Sequence, residues 1–377
     1  MARLKIPAVF MRGGTSKGVF FHHKDLPGDP AERDRILLHV LGSPDPYQRQ
    51  LDGMGGGLSS LSKAVFVAPS ERPDADVEYT FAQVSVDRPV VDYSGTCGNL
   101  SAAVGAFAVA EGLVEAPDGE ACVRVYMTNT GKIYHARFPV KDGMAVEAGD
   151  FVMPGVGGSG AKVTLDYLDP GGAVTGALMP TGHVRDRIEV AGLGRVDVSL
   201  VDATNAVVFL DAAALGYQAT ERPEALDADP DFMSRMDEVR RKGAVLMSLA
   251  KRPEDAPLST PKVGIVGPPA AFTALDGTAY GPDDMDLSFR VISMEKVHRA
   301  IPGTNGMCIA AAARIEGTIP HRLARNHVPI RIGNPSGVLP VDADVAREDD
   351  GRWSVRAITV YRTQRRLMEG SVLVPDR

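Results

Sequence analysis

One helix entrance is written twice in this chain. Gly95-Thr96-Cys97-Gly98-Asn99-Leu100-Ser101-Ala102-Ala103 recurs, without a gap, as Gly303-Thr304-Asn305-Gly306-Met307-Cys308-Ile309-Ala310-Ala311. Each copy runs from a Gly-Thr-x-Gly turn into an Ala-rich stretch that closes near Glu-Gly, at Glu111-Gly112 and Glu316-Gly317. These stretches predict helices over about 98–110 and 306–314. The first is small or apolar on every side, through Ala102, Val104, Phe107 and Val109. Such a helix is buried all round, and a sheet curled about it satisfies that demand. Two copies imply two such units.

The flanking patterns agree. Strands are expected at 8–11, 19–21, 63–67, 78–87 and 123–129 around the first entrance. Around the second they are expected at 262–266, 287–293, 328–332 and 355–362, with a final strand at 367–374. An early helix is punctuated by Asp29 as cap, Pro30 in the first turn and a stop at Gly42 and Pro44, with Ile36, Leu37, Val40 and Leu41 on one face. A long polar-faced helix is expected over 231–249, and Gly- and Pro-rich stretches at 154–160 and 169–175 mark the joint between halves. The expected fold is therefore α/β (α+β), two pseudo-duplicated domains, each a strongly curved mixed or antiparallel sheet around a buried central helix. The expected division is 1–175 with about 363–377, carrying Lys63 and Cys97, and 176–362, carrying the second entrance.

Composition removes several classes of function. A formal charge of −7 and no basic stripe argue against a nucleic-acid surface. No stretch is long and apolar enough for a transmembrane helix, and the N-terminal residues lack a signal-peptide core. The three cysteines, Cys97, Cys122 and Cys308, show no CxxC spacing, so neither a disulfide framework nor a zinc site is expected and a reducing cytoplasm is the simplest location. The eight histidines form no metal pattern. Small-molecule chemistry without a metal or cofactor is what remains, in a monomer or a homodimer.

A helix that opens on glycines presents free N–H groups and the positive end of its dipole, which attract anions. Thr96, Gly98 and Asn99 at one entrance, and Thr304, Asn305 and Gly306 at the other, are candidate contacts for a substrate with several carboxylates. Cys97 is either a small buried hydrophobe or a thiol made into an acid–base group at a helix entrance, and the flanking Gly95, Gly98 and Asn99 favour the second; Asn305 in the matching place transfers no proton. Cys122 and Cys308 read as packing residues. Lys63 falls on the strand face of Val65 and Val67, and is either an edge-strand charge or a desolvated base. Ser60 and Ser62 beside it can donate to carboxylates. Arg12-Gly13-Gly14-Thr15-Ser16-Lys17-Gly18 lacks the spacing of a phosphate loop, yet Arg12, Gly14, Thr15, Ser16 and Lys17 suit a carboxylate; the alternative is a plain hairpin turn. Ser336, in Asn334-Pro335-Ser336-Gly337, lies in another such turn.

Taken together these segments resemble the PrpF family of isomerases. Phe10–Phe21, Gly42-Ser43-Pro44-Asp45-Pro46-Tyr47, Asp52-Gly53-Met54-Gly55-Gly56, Gly95–Leu100, Met179-Pro180-Thr181-Gly182, Met294-Glu295-Lys296-Val297-His298-Arg299-Ala300, Pro335-Ser336-Gly337 and Leu367-Met368-Glu369-Gly370 carry the likeness. The resemblance implies a diaminopimelate-epimerase-like fold and cofactor-independent isomerisation of unsaturated di- or tricarboxylates. Val90-Val91-Asp92-Tyr93-Ser94 and the first helix look closest to 2-methylaconitate isomerases of propionate catabolism; 4-oxalomesaconate and methylitaconate are alternative substrates. The family's catalytic lysine corresponds to Lys63 and its helix-entry cysteine to Cys97. Departures fall at Leu61, Thr96, His183, Asn334 and Thr304-Asn305. A binding protein that keeps the cleft without turnover is the rival of a different class.

Overall fold

The computed structural model describes every residue except Met1, Ala2, Ser94, Ser259, Met294, Asp376 and Arg377. Ser94 and Met294, both within segments that carry the family likeness, therefore lie outside the described residues. The chain divides into two compact units, Met1–Tyr167 with Tyr361–Arg377, and Leu168–Val360.

In the first unit β1 (Arg3–Gly13) and β2 (Ser16–His22) form an antiparallel hairpin, and β3 (Lys63–Pro69) joins β2 in parallel. β4 (Val77–Val84) pairs antiparallel with β3 and carries the short β5 (Val91–Asp92). β6 (Gly119–Met127) adds in parallel to β4, then β7 (Lys132–Lys141) and the strand Val163–Leu168 follow antiparallel. The C-terminal strand Gln364–Pro375 pairs with β1 along its whole length. Two helices lie on opposite faces of this sheet: α1 (Pro30–Leu41) and α2 (Ser101–Ala110).

The period of two in the strands sorts side chains between those helices. Val19, Phe21, Ala64, Phe66, Ala82 and Val84 share a core with Ile36, Leu37, Val40 and Leu41 of α1. Their neighbours Ser16, Phe20, Lys63 and Gln83 therefore face the α2 side, where Phe20 meets Phe107 at 5.6 Å between ring centroids. Residues Ser101 to Val109 of α2 are all buried. This is what all-round apolarity requires, with β1, β6, β7 and the C-terminal strand packed about the helix.

The second unit repeats the strand order. Gly194–Asp202 and Ala206–Asp211 pair antiparallel, Lys262–Gly267 adds in parallel, and Leu287–Ser293 follows antiparallel. Ile330–Asn334 adds in parallel, and Gly337–Arg347 and Trp353–Arg362 complete the order antiparallel. Here α3 (Pro223–Asp227) and α4 (Pro230–Leu246) precede the buried helix α5 (Gly303–Arg314), and Phe232, Met236 and Val239 of α4 pack on Leu200, Val208 and Val263. The expected fold class is the one observed.

Three details differ from expectation. α2 begins at Ser101 rather than at Gly98, and α5 begins at Gly303 rather than at Gly306. The stretch 154–160 lies inside the first unit, where Ser159–Gly160 pairs with Phe151–Val152. α4 stops at Leu246, earlier than the periodicity suggested, because Met247, Ser248 and Leu249 turn back onto Gly243, Val245 and Ala244 carbonyls.

Candidate active site

The hairpin turn between β1 and β2 is pressed against the turn that leads into α2. A Cβ on Gly13 would stand 2.5 Å from the Asn99 carbonyl oxygen, and one on Gly14 would stand 2.3 Å from Asn99 Oδ1. Gly14 also sits at φ +53°, so glycine is demanded twice over. Asn99 locks the contact: its Nδ2 donates to Thr15 Oγ1 at 3.0 Å, while its Oδ1 accepts from Arg362 Nε at 3.2 Å. Its amide orientation is thereby settled by its partners.

This packing brings Ser16, buried at the start of β2, to Cys97, whose thiol points to Ser16 Oγ at 4.0 Å. The Cys97 sulfur accepts from Leu100 N–H at 3.5 Å, and the Cys97 carbonyl accepts from Ser101 N–H at 3.0 Å and from Ser101 Oγ at 2.9 Å. The Cys97 carbonyl thus caps the turn opening α2, and its sulfur faces the Leu100 N–H just ahead of the helix.

Lys63 opens β3 directly opposite Gln83 of β4, and only 8% of its surface is exposed. Its Nζ donates to Gln83 Oε1 at 2.5 Å and lies 4.8 Å from the Phe81 ring centroid. Burial pushes the ammonium below the ordinary lysine range, opposed by attraction to Cys97. Lys63 and Cys97 are therefore coupled electrostatically on the α2 side of the sheet. Arg362 adds a second cation there. It is 4% exposed, donates from Nη1 to the Tyr361 carbonyl at 2.8 Å, and has no carboxylate partner among the described residues. Burial lowers its pKa, whereas Tyr167 and Cys97 raise it.

Other candidates are occupied elsewhere. Arg12 Nη1 donates to the Gly14 carbonyl at 2.9 Å and to Thr363 O and Oγ1 at 3.1 and 3.0 Å, fastening the hairpin to the final strands. It lines a separate cavity of about 300 Å3 with Phe151, Gly158 and Arg365. Lys17 alternates to the opposite strand face from Ser16, with Nζ 5.6 Å from the Phe10 ring centroid. Ser62 Oγ accepts from Gln50 Nε2 at 2.7 Å, and Ser60 is half-buried in the turn Ser59–Leu61. Thr96 Oγ1 donates to Met127 Sδ at 3.5 Å, and Gly98 is half-buried in the entrance turn.

In the second unit the Thr304 carbonyl accepts from Thr204 Oγ1 at 2.9 Å, and a Cβ on Gly306 would meet Leu339 at 2.9 Å. Asn305 is fully buried, and among the described residues neither of its side-chain amide atoms has a hydrogen-bond partner. Ser336 Oγ donates to the Arg299 carbonyl at 2.6 Å, and its N–H is received by Asn334 Oδ1 at 3.1 Å. Cys308 is buried beside the Val201 carbonyl at 3.4 Å, where burial pushes its thiol far above the ordinary range. Among the described residues no group of His, Cys, Asp and Glu is arranged to hold a metal ion, and no helix is long and apolar enough to cross a membrane.

Known proteins share this frame. A 2-methyl-aconitate isomerase of Cupriavidus necator is 43% identical over 391 residues, covering 99% of this chain and 98% of the relative. Another of that name, from Shewanella oneidensis, is 41% identical over 389 residues with the same coverage. A crystal structure of a methylitaconate-delta-isomerase superposes with a TM-score of 0.91 at 39% identity, covering 99% of this chain and 96% of that one. The family profile described as PrpF protein matches residues 3–375, both entrances included, and the chain belongs to the PrpF family.

Proposed function

We propose that this PrpF-family isomerase interconverts the cis and trans forms of 2-methylaconitate by allylic proton transfer, with Lys63 and Cys97 as its proton-transfer groups. One observation carries the reading: a buried lysine whose uncharged form is favoured by desolvation is coupled to a thiol that accepts from the Leu100 N–H at the mouth of α2. The names borne by the two relatives at 41% and 43% identity supply the substrate.

In the proposed reaction the Lys63 amine takes a proton from the carbon next to the double bond. The C–H electron pair enters the conjugated system, and the resulting dienolate charge rests on a carboxylate. N–H groups at the α2 entrance and the uncompensated charge of Arg362 stabilise that charge in a site of low dielectric. Return of the proton to the same carbon, after rotation about the bond that has become single, gives the cis–trans outcome. Delivery of the Cys97 proton to the other end of the allylic system moves the double bond instead. A Lys63 ammonium and a Cys97 thiolate then exchange a proton to restore the starting state. The methylitaconate-delta-isomerase likeness favours this second outcome as the alternative. Asn305 is proposed as a carboxylate contact, because its buried amide has no partner among the described residues.

NMR in D2O with 2-methylaconitate, 4-oxalomesaconate, methylitaconate and trans-aconitate tests both the substrate and the step. Fastest turnover of 2-methylaconitate, with deuterium entering only its allylic positions, is the expected result. Turnover without any solvent exchange, or tight binding without turnover, would sink the proposal.

A further inference from the structure

We propose that Gln83 is the positioning residue for Lys63, aiming its nitrogen without adding the negative charge that would hold it as the ammonium. The inference rests on the reading of Lys63 as a proton-transfer group and deepens it.

Lys63 and Gln83 face each other in the register of β3 and β4, on the α2 side of the sheet. The Gln83 carboxamide has little freedom. Its Nε2 donates to the Ser62 carbonyl at 2.9 Å and to the Ser59 carbonyl at 3.1 Å. Both N–H bonds are thereby spent on the turn that precedes β3, and only Oε1 is left to face Nζ, at 2.5 Å. Flipping the amide would set its NH2 against the lysine nitrogen and its oxygen against two carbonyls, so the orientation is unambiguous. An uncharged amine has two N–H bonds and one lone pair. With one N–H given to Oε1, the lone pair and the second N–H share the two positions that point away from Gln83.

The neutrality of the partner matters as much as its shape. A carboxylate at this distance favours the ammonium and raises a lysine pKa by about one to three units. Glutamine supplies the same acceptor geometry without the charge. Around Lys63, Cys97 from the turn ahead of α2 attracts the ammonium, the Phe81 face and the neutral Gln83 oxygen favour it more weakly, and Asp92, across Gln83 on β5, is exposed. Burial outweighs them. Gln83 completes that balance by fixing the amine without adding a negative charge.

The test titrates the side chain directly, with no substrate present. In protein carrying 13Cε-labelled lysine, the Lys63 signal is assigned by its loss in Lys63→Arg. In the wild type it is expected to titrate below the ordinary lysine range. In Gln83→Glu its midpoint is expected to rise by about one unit or more, and turnover at neutral pH to fall about tenfold. Gln83→Asn, which withdraws the oxygen from Nζ and the NH2 from the Ser59 and Ser62 carbonyls without adding charge, is expected to lower kcat while KM stays near wild type and the melting temperature falls by a few degrees. An unmoved Lys63 midpoint in Gln83→Glu overturns the inference, as does full kcat in Gln83→Asn. A shifted midpoint in a protein that turns over none of the four acids would retain the role of Gln83 and overturn the proposed reaction, so the two failures are separable.

Discussion

The two units have the same strand order but use their helix entrances differently. In the second, Gly303 is already helical and the Pro302 carbonyl accepts from Asn305 and Gly306 N–H groups, so Asn305 is enclosed in the first turn. In the first, the residues aligned with that turn stay outside α2, and the Cys97 carbonyl does the capping. The cause is lateral. Asn99 is drawn out by Thr15 and Arg362, and the glycine hairpin leaves room for the turn to spread against it. Proline, with its preset φ, begins the helix early in the other copy. A duplicated sequence thus yields one frame twice, while a few side chains decide whether the matching residue lies beside polar neighbours or inside the helix. Lys63 and Lys262 tell the same story. Each opens the third strand of its order, but Lys63 is coupled to a thiol and Lys262 to Arg240.

The sharpest way to break this comparison is to remove each lysine in turn. Lys63→Met is expected to reduce kcat by about a thousandfold, the scale of a lost general acid–base group, whereas Lys262→Met is expected to leave most activity. Stopped-flow absorbance of the unsaturated acid reads both. The wild-type rate should rise with pH, since Lys63 must lose its proton to act as a base. That rise should lie below the ordinary lysine range, because burial lowers the Lys63 pKa. Equal losses at both lysines would end the asymmetry.

Cysteine replacement should follow with a smaller effect. Cys97→Ala is expected to slow turnover about a hundredfold, the lower end of proton-transfer catalysis. Cys308→Ala, which removes a thiol sealed against the Val201 carbonyl, should cost about 1 kcal/mol of stability and little rate. Mass mapping after iodoacetamide treatment should find label on Cys97 and none on Cys308; the reverse pattern would overturn the assignment.

The buried helices were legible because apolarity on all sides admits few alternatives; Cys97 stood out by the glycine turn around it, and Lys63 as a charge on a mostly apolar strand face. Lys17 reads with Ser16 in the sequence as a carboxylate contact, but neighbours in a strand face opposite ways, and its Nζ lies over the Phe10 ring instead. Arg12 was not legible, since its destination at Thr363 depends on pairing across the whole chain. Gln83 and Arg362 escaped for the same reason. Gln83 is 20 residues from Lys63, and Arg362 is 263 from Asn99, so only strand register and long-range packing reveal them.

Asn305 offers the smallest effect and the subtlest discrimination. A buried amide with neither atom bonded is unfavourable by roughly 1–3 kcal/mol, and replacing it with an apolar side chain of similar size removes that penalty. Asn305→Leu is therefore expected to raise the melting temperature by a few degrees while raising KM for the polycarboxylate. The opposite holds for an amide that only packs: stability gained, KM unchanged. Differential scanning calorimetry beside steady-state kinetics separates the two cases. A gain in stability with no change in KM would assign the second entrance a purely structural part and leave carboxylate binding to the first unit.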